Sequence, residues 1–391
     1  MHQIEGRGQR YAWGSTTDIP RLLGTEVTDE PYAEHWFGAH ETAPSLLDGQ
    51  PLDALLATSP ERLGRRSREA FGDRLPYLVK LLAAARPLSI QAHPDREQAE
   101  EGYAREDAAG IGLGEPHRTY KDTWPKPEAV IAITEFHGLA GFRDPLRTAE
   151  LFDGLGVGDT LASVVGPLSK RKGPAALAEV FLDVLSLEGD RLGLVDTVVD
   201  AASEHADDDG ELGEFALTAL EVAEAFPQDR GVLAALLLNR FRLSPGEGVF
   251  LPPGKMHAYL RGFAVEVMAN SDNVLRGGLT SKHIDVDNLL AVVDFSPAPL
   301  SQMTTRETAP GIRRYSTRAD EFTVWALGPR ASGDVPGTGA RVVLVTDGTC
   351  VLRTGSHALS LAAGQAAFLD ADDETTVELT GTAYVSGHGL G

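Results

Sequence analysis

The chain has 391 residues, 42% of them hydrophobic and 24% charged, and a formal net charge of −22. That length and apolar content allow a full core and two or three domains, while the acidic balance excludes sequence-independent binding to nucleic acid or anionic membranes, which needs a basic surface. No run reaches the apolar length of a membrane span, Met1–Arg7 lacks the apolar core of a secretory signal, and the single Cys350 excludes an internal disulfide or a thiolate cage, so a reducing, cytoplasmic location away from membranes is expected.

Up to about residue 145, short strands, turns and helices alternate. Tyr11-Ala-Trp13-Gly-Ser15 and Glu34-His35-Trp36-Phe37-Gly38-Ala-His40 set large aromatics beside polar groups and glycine. Such clusters usually form apolar mini-cores at a barrel mouth and less often a surface on which a ligand stacks. Leu75–Leu82 reads as a buried strand interrupted by Lys80, which either snorkels to the sheet rim or faces a cavity. In Leu88–His93, Ser89, Gln91 and His93 share one strand face, and Leu88, Ile90 and Ala92 the other. An apolar outside with Ser, Gln and His inside suits a barrel that contains something polar. Pro94 then opens a charged helix running towards Asp107. Pro125 and Pro127 forbid helix, so Glu128 enters a buried strand two positions after Lys126 and on the same face. A carboxylate there needs a cation or a metal.

From about 146 to 243 the texture is helical, with apolar spacings of three and four over 176–187, 211–226 and 231–241. Asp207–Gly210 lacks the ligand order of a calcium loop, and the basic loop Ser169–Gly173 reads as solvated. Strands resume at 244. Val249–Leu251, the turn Pro252-Pro253-Gly254 and the alternating Met256–Leu260 put His257 and Tyr259 on one face. Gly262–Ala269 carries Glu266, and Asp272, Asn273, Arg276 and Lys282 crowd the glycine-containing loop that follows. The remainder, from about 305, reads as all β, with a hairpin over 341–353 turning at Asp347-Gly348. Gly364–Thr375 has the outline of 246–257, but Asp370, Asp372 and Thr375 replace proline, glycine and histidine, giving a second barrel-like unit without a metal. The expected division is 1–145 and 244–304 as two parts of one barrel, 146–243 as a helical insert, and 305–391 as a C-terminal β unit, so the chain is mainly β with a helical insert.

Gln91, His93, Glu128 and His257 bring one amide oxygen, two imidazoles and one carboxylate from separate strands, a donor set for a divalent ion such as zinc with room for water or substrate. The spacing Gly246-(five residues)-Pro252-x-Gly254-x-x-His257 also resembles the second motif of the cupin barrels. More specifically, Tyr11-Ala-Trp13-Gly, Glu34-x-Trp36-x-Gly38, Leu75-Pro-Tyr-Leu-x-Lys80, Leu88-Ser-Ile-Gln91-Ala-His93-Pro94, Tyr120-Lys121-Asp122, Lys126-Pro-Glu128, Leu251-Pro-Pro-Gly-x-x-His257-Ala-Tyr259 and the run from Glu266 to Lys282 together resemble the type I mannose-6-phosphate isomerases, zinc-dependent enzymes of the cupin superfamily.

That resemblance implies a cupin-type jelly roll with a cupin-like C-terminal unit. It implies one zinc per chain on Gln91, His93, Glu128 and His257, with Arg276 at the reacting carbons and Glu266, Lys126, Asp272 and Lys282 completing the site. Trp13, Glu34 and Tyr259 are expected on the substrate side, and Lys80, Ser89, Arg276 and Lys282 supply cations and donors for a phosphate despite the acidic total. The implied reaction interconverts mannose 6-phosphate and fructose 6-phosphate through an enediol, with Glu266 favoured as the base and Lys126 its rival. A monomer acting on a small phosphosugar, in the metabolism that leads to GDP-mannose, is the accompanying expectation. Two departures stand out: Trp124-Pro125 where the family pattern has Asn-His, and Ser281 in place of a proline. A non-catalytic sugar-binding barrel would have no use for Glu266 and Arg276, and an iron oxygenase would favour a more histidine-rich set.

Overall fold

One strand, His257–Ala269, joins two sheets in the computed structural model, which describes residues 1–171, 173–298 and 301–390. Its first half pairs with Phe136–Phe142 and meets Ile90–Ala92 at His257 and Gln91; its second half lies between Tyr77–Ala84 and Glu128–Ala132. The strand changes sheets at Gly262, whose φ of +123° is open to glycine and strained for other residues. A Cβ there would sit 2.6 Å from the Glu135 carbonyl oxygen and 2.8 Å from Phe136 Cα.

The first sheet also contains Leu238–Leu243 and Leu275–Gly278, and the second adds Gly248–Leu251, Glu34–Gly38 and Arg7–Gln9. All pairings are antiparallel. Among the described residues they do not close into the expected barrel, because the bend at Gly262 hands the ladder from one sheet to the other instead of carrying it round a ring. The expectation of a mainly β chain is also corrected: helices Leu52–Thr58, Arg65–Phe71, Arg96–Ala108 and Val286–Val292 lie outside the helical stretch, and the whole is a mixture of helix and sheet.

Between the sheets, the inward residues change character along each strand. Leu82, Val130, Ala132, Phe136 and Ala264 form an apolar end, while Lys80, Glu128, His257 and Glu266, two or more positions along the same faces, are buried polar groups. The outer face of the first sheet offers Ile90, Ala92, Leu139, Met256, Ala258 and Leu260 to helices that include Pro145–Gly154, Pro174–Leu185, Gly193–Glu204 and Glu211–Ala225. The run 231–241, helical by its spacing, divides into helix Gly231–Leu236 and strand Leu238–Leu243. Pairing with Phe136–Phe142 overrides the local period there. Lys172, in the basic loop, lies outside the described residues.

The second sheet buries Val79, Leu81, Ala129, Ile131, Val265 and Val267 against a seven-stranded sheet built of six C-terminal strands and His2–Ile4, through Val324, Ala326, Val342, Leu344, Phe368 and Tyr384. The alternate residues Val343, Val345, Ala367, Leu369 and Val385 face a four-stranded sheet. The expected hairpin over 341–353 does not form. Arg341–Asp347 pairs within the larger sheet and Thr349–Thr354 within the smaller, because Gly348 (φ +71°), packed against Gly381, turns the chain from one sheet into the other.

The bend at Gly262 gives a direct test. Gly262→Val adds both backbone strain and a clash, and is expected to cost about 2–6 kcal/mol, lowering the urea midpoint followed by circular dichroism.

Candidate active site

His93, Glu128 and His257 offer ligand atoms that all lie within 4.8 Å of one another. Each arrives from a different place: His93 just past the strand Ile90–Ala92, Glu128 at the head of Glu128–Ala132, and His257 at the start of the long strand. His93 Nε2 is 3.1 Å from Glu128 Oε1, and His257 Nε2 is 3.3 Å from Glu128 Oε2. The other ring nitrogens are committed. His93 Nδ1 donates to the Asn273 carbonyl at 2.7 Å, and His257 Nδ1 donates to the Lys255 carbonyl at 2.9 Å. Both Nε2 atoms therefore face the Glu128 carboxylate, and the buried Nε2 of His93 has no hydrogen-bond partner. Imidazoles fixed by backbone carbonyls, with the second nitrogen free, are the usual preparation for a metal. The donor set fits a borderline ion such as zinc.

Burial lowers His93 to about 4, so its ring is neutral near pH 7, as a ligand must be. For Glu128 burial alone would raise the carboxyl, but the imidazoles and Lys126 outweigh it and hold it well below the usual carboxylate range. Lys126 Nζ lies 3.5 Å from Glu128 Oε1. Gln91 is the register partner of both His257 and Arg276, so the three side chains share a face.

A second cluster lies deeper on the adjoining sheet. Lys80 Nζ is 3.0 Å from Glu266 Oε2 and 3.7 Å from Glu34 Oε1; Tyr259 donates to Glu266 Oε1 at 2.9 Å, and Trp36 Nε1 to Glu34 Oε2 at 2.8 Å. Lys80 is thus buried between two carboxylates and does not snorkel out. Burial raises the Glu266 carboxyl, partly offset by Lys80, while the surrounding carboxylates outweigh the desolvation of Lys80 and keep it charged. The Tyr259 hydroxyl is raised well above its ordinary value by burial and then by Glu266.

Arg276 and Lys282 make a third group. Lys282 is lowered first by the Arg276 guanidinium, and among the described residues neither makes an ion pair. Ser89 is half-buried beside the strand Ile90–Ala92, and Trp13 packs on the apolar end of the interior. The Asp272 carboxylate turns to His40 (3.2 Å), and towards none of the other expected site residues does it make a hydrogen bond.

Three contributors carry no role in the sequence reading. Tyr11, stacked on Trp13 at 5.7 Å, has its hydroxyl raised by burial and then by Glu34, with Lys80 and Asp272 also near. His40 holds Asp272, and Asn273 holds His93. Their sequence signals are the aromatic–polar clusters that contain Tyr11 and His40 and the polar density around Asn273. Trp124, at the first departure from the family pattern, lies between Arg96 (3.9 Å) and Arg74 (4.5 Å).

The model of the phosphomannose isomerase type I catalytic domain matches residues 1–145. The mannose-6-phosphate isomerase of Salmonella typhimurium is 35% identical, the match covering 99% of this chain and 98% of that protein. The structure of a lysine-to-alanine mutant of phosphomannose isomerase from Salmonella typhimurium, 32% identical, covers 99% of both chains with a TM-score of 0.90. A structure of mannose 6-phosphate isomerase bound with zinc and yttrium is also 32% identical, covering 99% of both with a TM-score of 0.88. The chain belongs to the type I phosphomannose isomerase family and is an aldose–ketose isomerase.

Proposed function

We propose that the chain interconverts mannose 6-phosphate and fructose 6-phosphate by moving a proton between C2 and C1 through an enediol, with one zinc ion held by Gln91, His93, Glu128 and His257 in a cupin-type site. The observation that carries this reading is the pair of imidazoles, each fixed at Nδ1 by a carbonyl and aimed through Nε2 at one buried carboxylate. When bound, the ion supplies a Lewis acid for oxygens of the reacting carbons.

The chain's own residues do the rest. Arg276, on the same face as Gln91, offers a guanidinium to the negative charge that develops on the enediol oxygens. Glu266, buried and held between Lys80 and Tyr259, is the proton-transferring group. Because burial raises its carboxyl, it abstracts and returns a proton more readily than an exposed carboxylate. Lys126 is the second reading for that role. Its ammonium is 3.5 Å from Glu128, whereas both Glu266 oxygens already have partners. The neighbouring cations Arg276 and Lys282, with Ser89, receive the phosphate, and Trp13, Tyr259, Glu34 and Asp272 border the sugar.

In a coupled assay for fructose 6-phosphate from mannose 6-phosphate, chelation abolishes activity and zinc restores it; indifference to the chelator removes the metal from the mechanism. Glu266→Gln lowers kcat by about 100- to 10,000-fold, with Lys126→Met milder; the reverse order assigns the base to Lys126. A base works ionised, so activity falls on acidification at a pH above the ordinary carboxylate range. Lys80→Met removes the cation that holds Glu266 down and shifts the acid limb of the kcat profile upward, by about 1–3 units. Lys282→Ala raises KM for mannose 6-phosphate about 10- to 100-fold with a smaller change in kcat.

A further inference from the structure

Asn273 is fully buried and holds His93, yet nothing above uses its side chain. Its own carbonyl receives the proton of His93 Nδ1 at 2.7 Å. The amide reaches another part of the chain. Oδ1 accepts from Lys121 N (2.7 Å) and Asp122 N (3.2 Å), and Nδ2 donates to the carbonyls of Asp122 and Trp124, both at 2.9 Å. Asp122 returns the grip: its carboxylate accepts from Ser271 Oγ at 2.9 Å, Asp272 N at 2.9 Å and Trp124 N at 2.8 Å, and lies 3.2 Å from Asn273 Nδ2. An amide is the one short side chain that offers two donors and two acceptor positions at a single point, and here all are engaged.

The clasped segment leads directly into the site. From Trp124 the chain passes through Pro125, Lys126 and Pro127 to Glu128; the prolines fix φ, and the Pro127 carbonyl accepts from Ala269 N at 3.0 Å. Little slack remains between Asn273 and the Glu128 carboxylate.

We infer that Asn273 is a positioning residue for the metal centre: its carbonyl orients His93 while its amide holds the segment that carries Lys126 and Glu128, so one residue sets the separation of an imidazole and a carboxylate. The inference rests on the metal reading above. It does not require Asn273 to touch substrate or ion. Partners that orient metal ligands change affinity by about 10- to 100-fold when removed.

Asn273→Ala deletes the amide and leaves the carbonyl. With the Trp124 ring still held by Arg96 and Arg74, the loop keeps its outer packing. The zinc dissociation constant, read by chelator competition on the purified protein, is expected to rise about 10- to 100-fold and kcat at saturating zinc to fall, with KM changed far less. Asn273→Asp serves if the alanine variant does not fold. It retains the acceptors, loses the donors to the Asp122 and Trp124 carbonyls and sets a second carboxylate against Asp122, so zinc affinity falls likewise. If Asn273→Ala and Asn273→Asp bind zinc as tightly as the unsubstituted protein, while His257→Ala loses it, the inference is overturned and the metal reading stands. An unsubstituted protein that holds no zinc overturns both.

Discussion

A buried carboxylate flanked by two imidazoles whose protons already point elsewhere is the constraint on which the rest of this structure depends. Glu128 faces His93 and His257 from a position 4% exposed, and the Nδ1 protons of both rings are spent on backbone carbonyls. A buried carboxylate in low dielectric is unfavourable without a positive charge beside it. Lys126 is the nearest fixed cation. An arrangement this costly as plain architecture is economical as a metal cradle.

Geometry comes from a single bent strand. Because His257–Ala269 serves both sheets, His257 and Tyr259 on one side of Gly262 face Glu266 on the other, and residues from Glu128–Ala132 and Tyr77–Ala84 fall into the same interior by register. The polar and apolar ends of that interior follow from ordinary alternation: each strand keeps one face inward and changes only the chemistry along it. Helices seal the outer side of one sheet and the C-terminal sheet seals the other, which keeps water from the back of both.

Much of this was legible in the chain. Period two placed His257 with Tyr259 and set Ile90 and Ala92 opposite the inward face, and the prolines at 125 and 127 marked Glu128 as a strand carboxylate in need of a partner. These are local signals with a strong physical basis. What escaped was decided by distant partners. The Asp347-Gly348 dipeptide looks like a hairpin turn, but its flanking strands find better ladders in two separate sheets. Leu238–Leu243 has helical spacing and takes the form of its neighbour Phe136–Phe142. Asn273 and His40 act on groups more than 100 residues away, and no spacing in the sequence encodes such a bond.

The central strands of the seven-stranded sheet are covered on both faces: Val342, Leu344 and Phe368 lean on the sheet that carries Glu128 and Glu266, while Val343, Val345 and Leu369 lean on their own partner sheet. The shared packing ties the stability of the two regions together. Cutting the seven-stranded sheet away would strip Val79, Leu81, Ile131, Val265 and Val267 to solvent, an adhesive patch rather than a smaller enzyme. The stability of the strands that carry Glu128 and Glu266 thus depends on residues far from them.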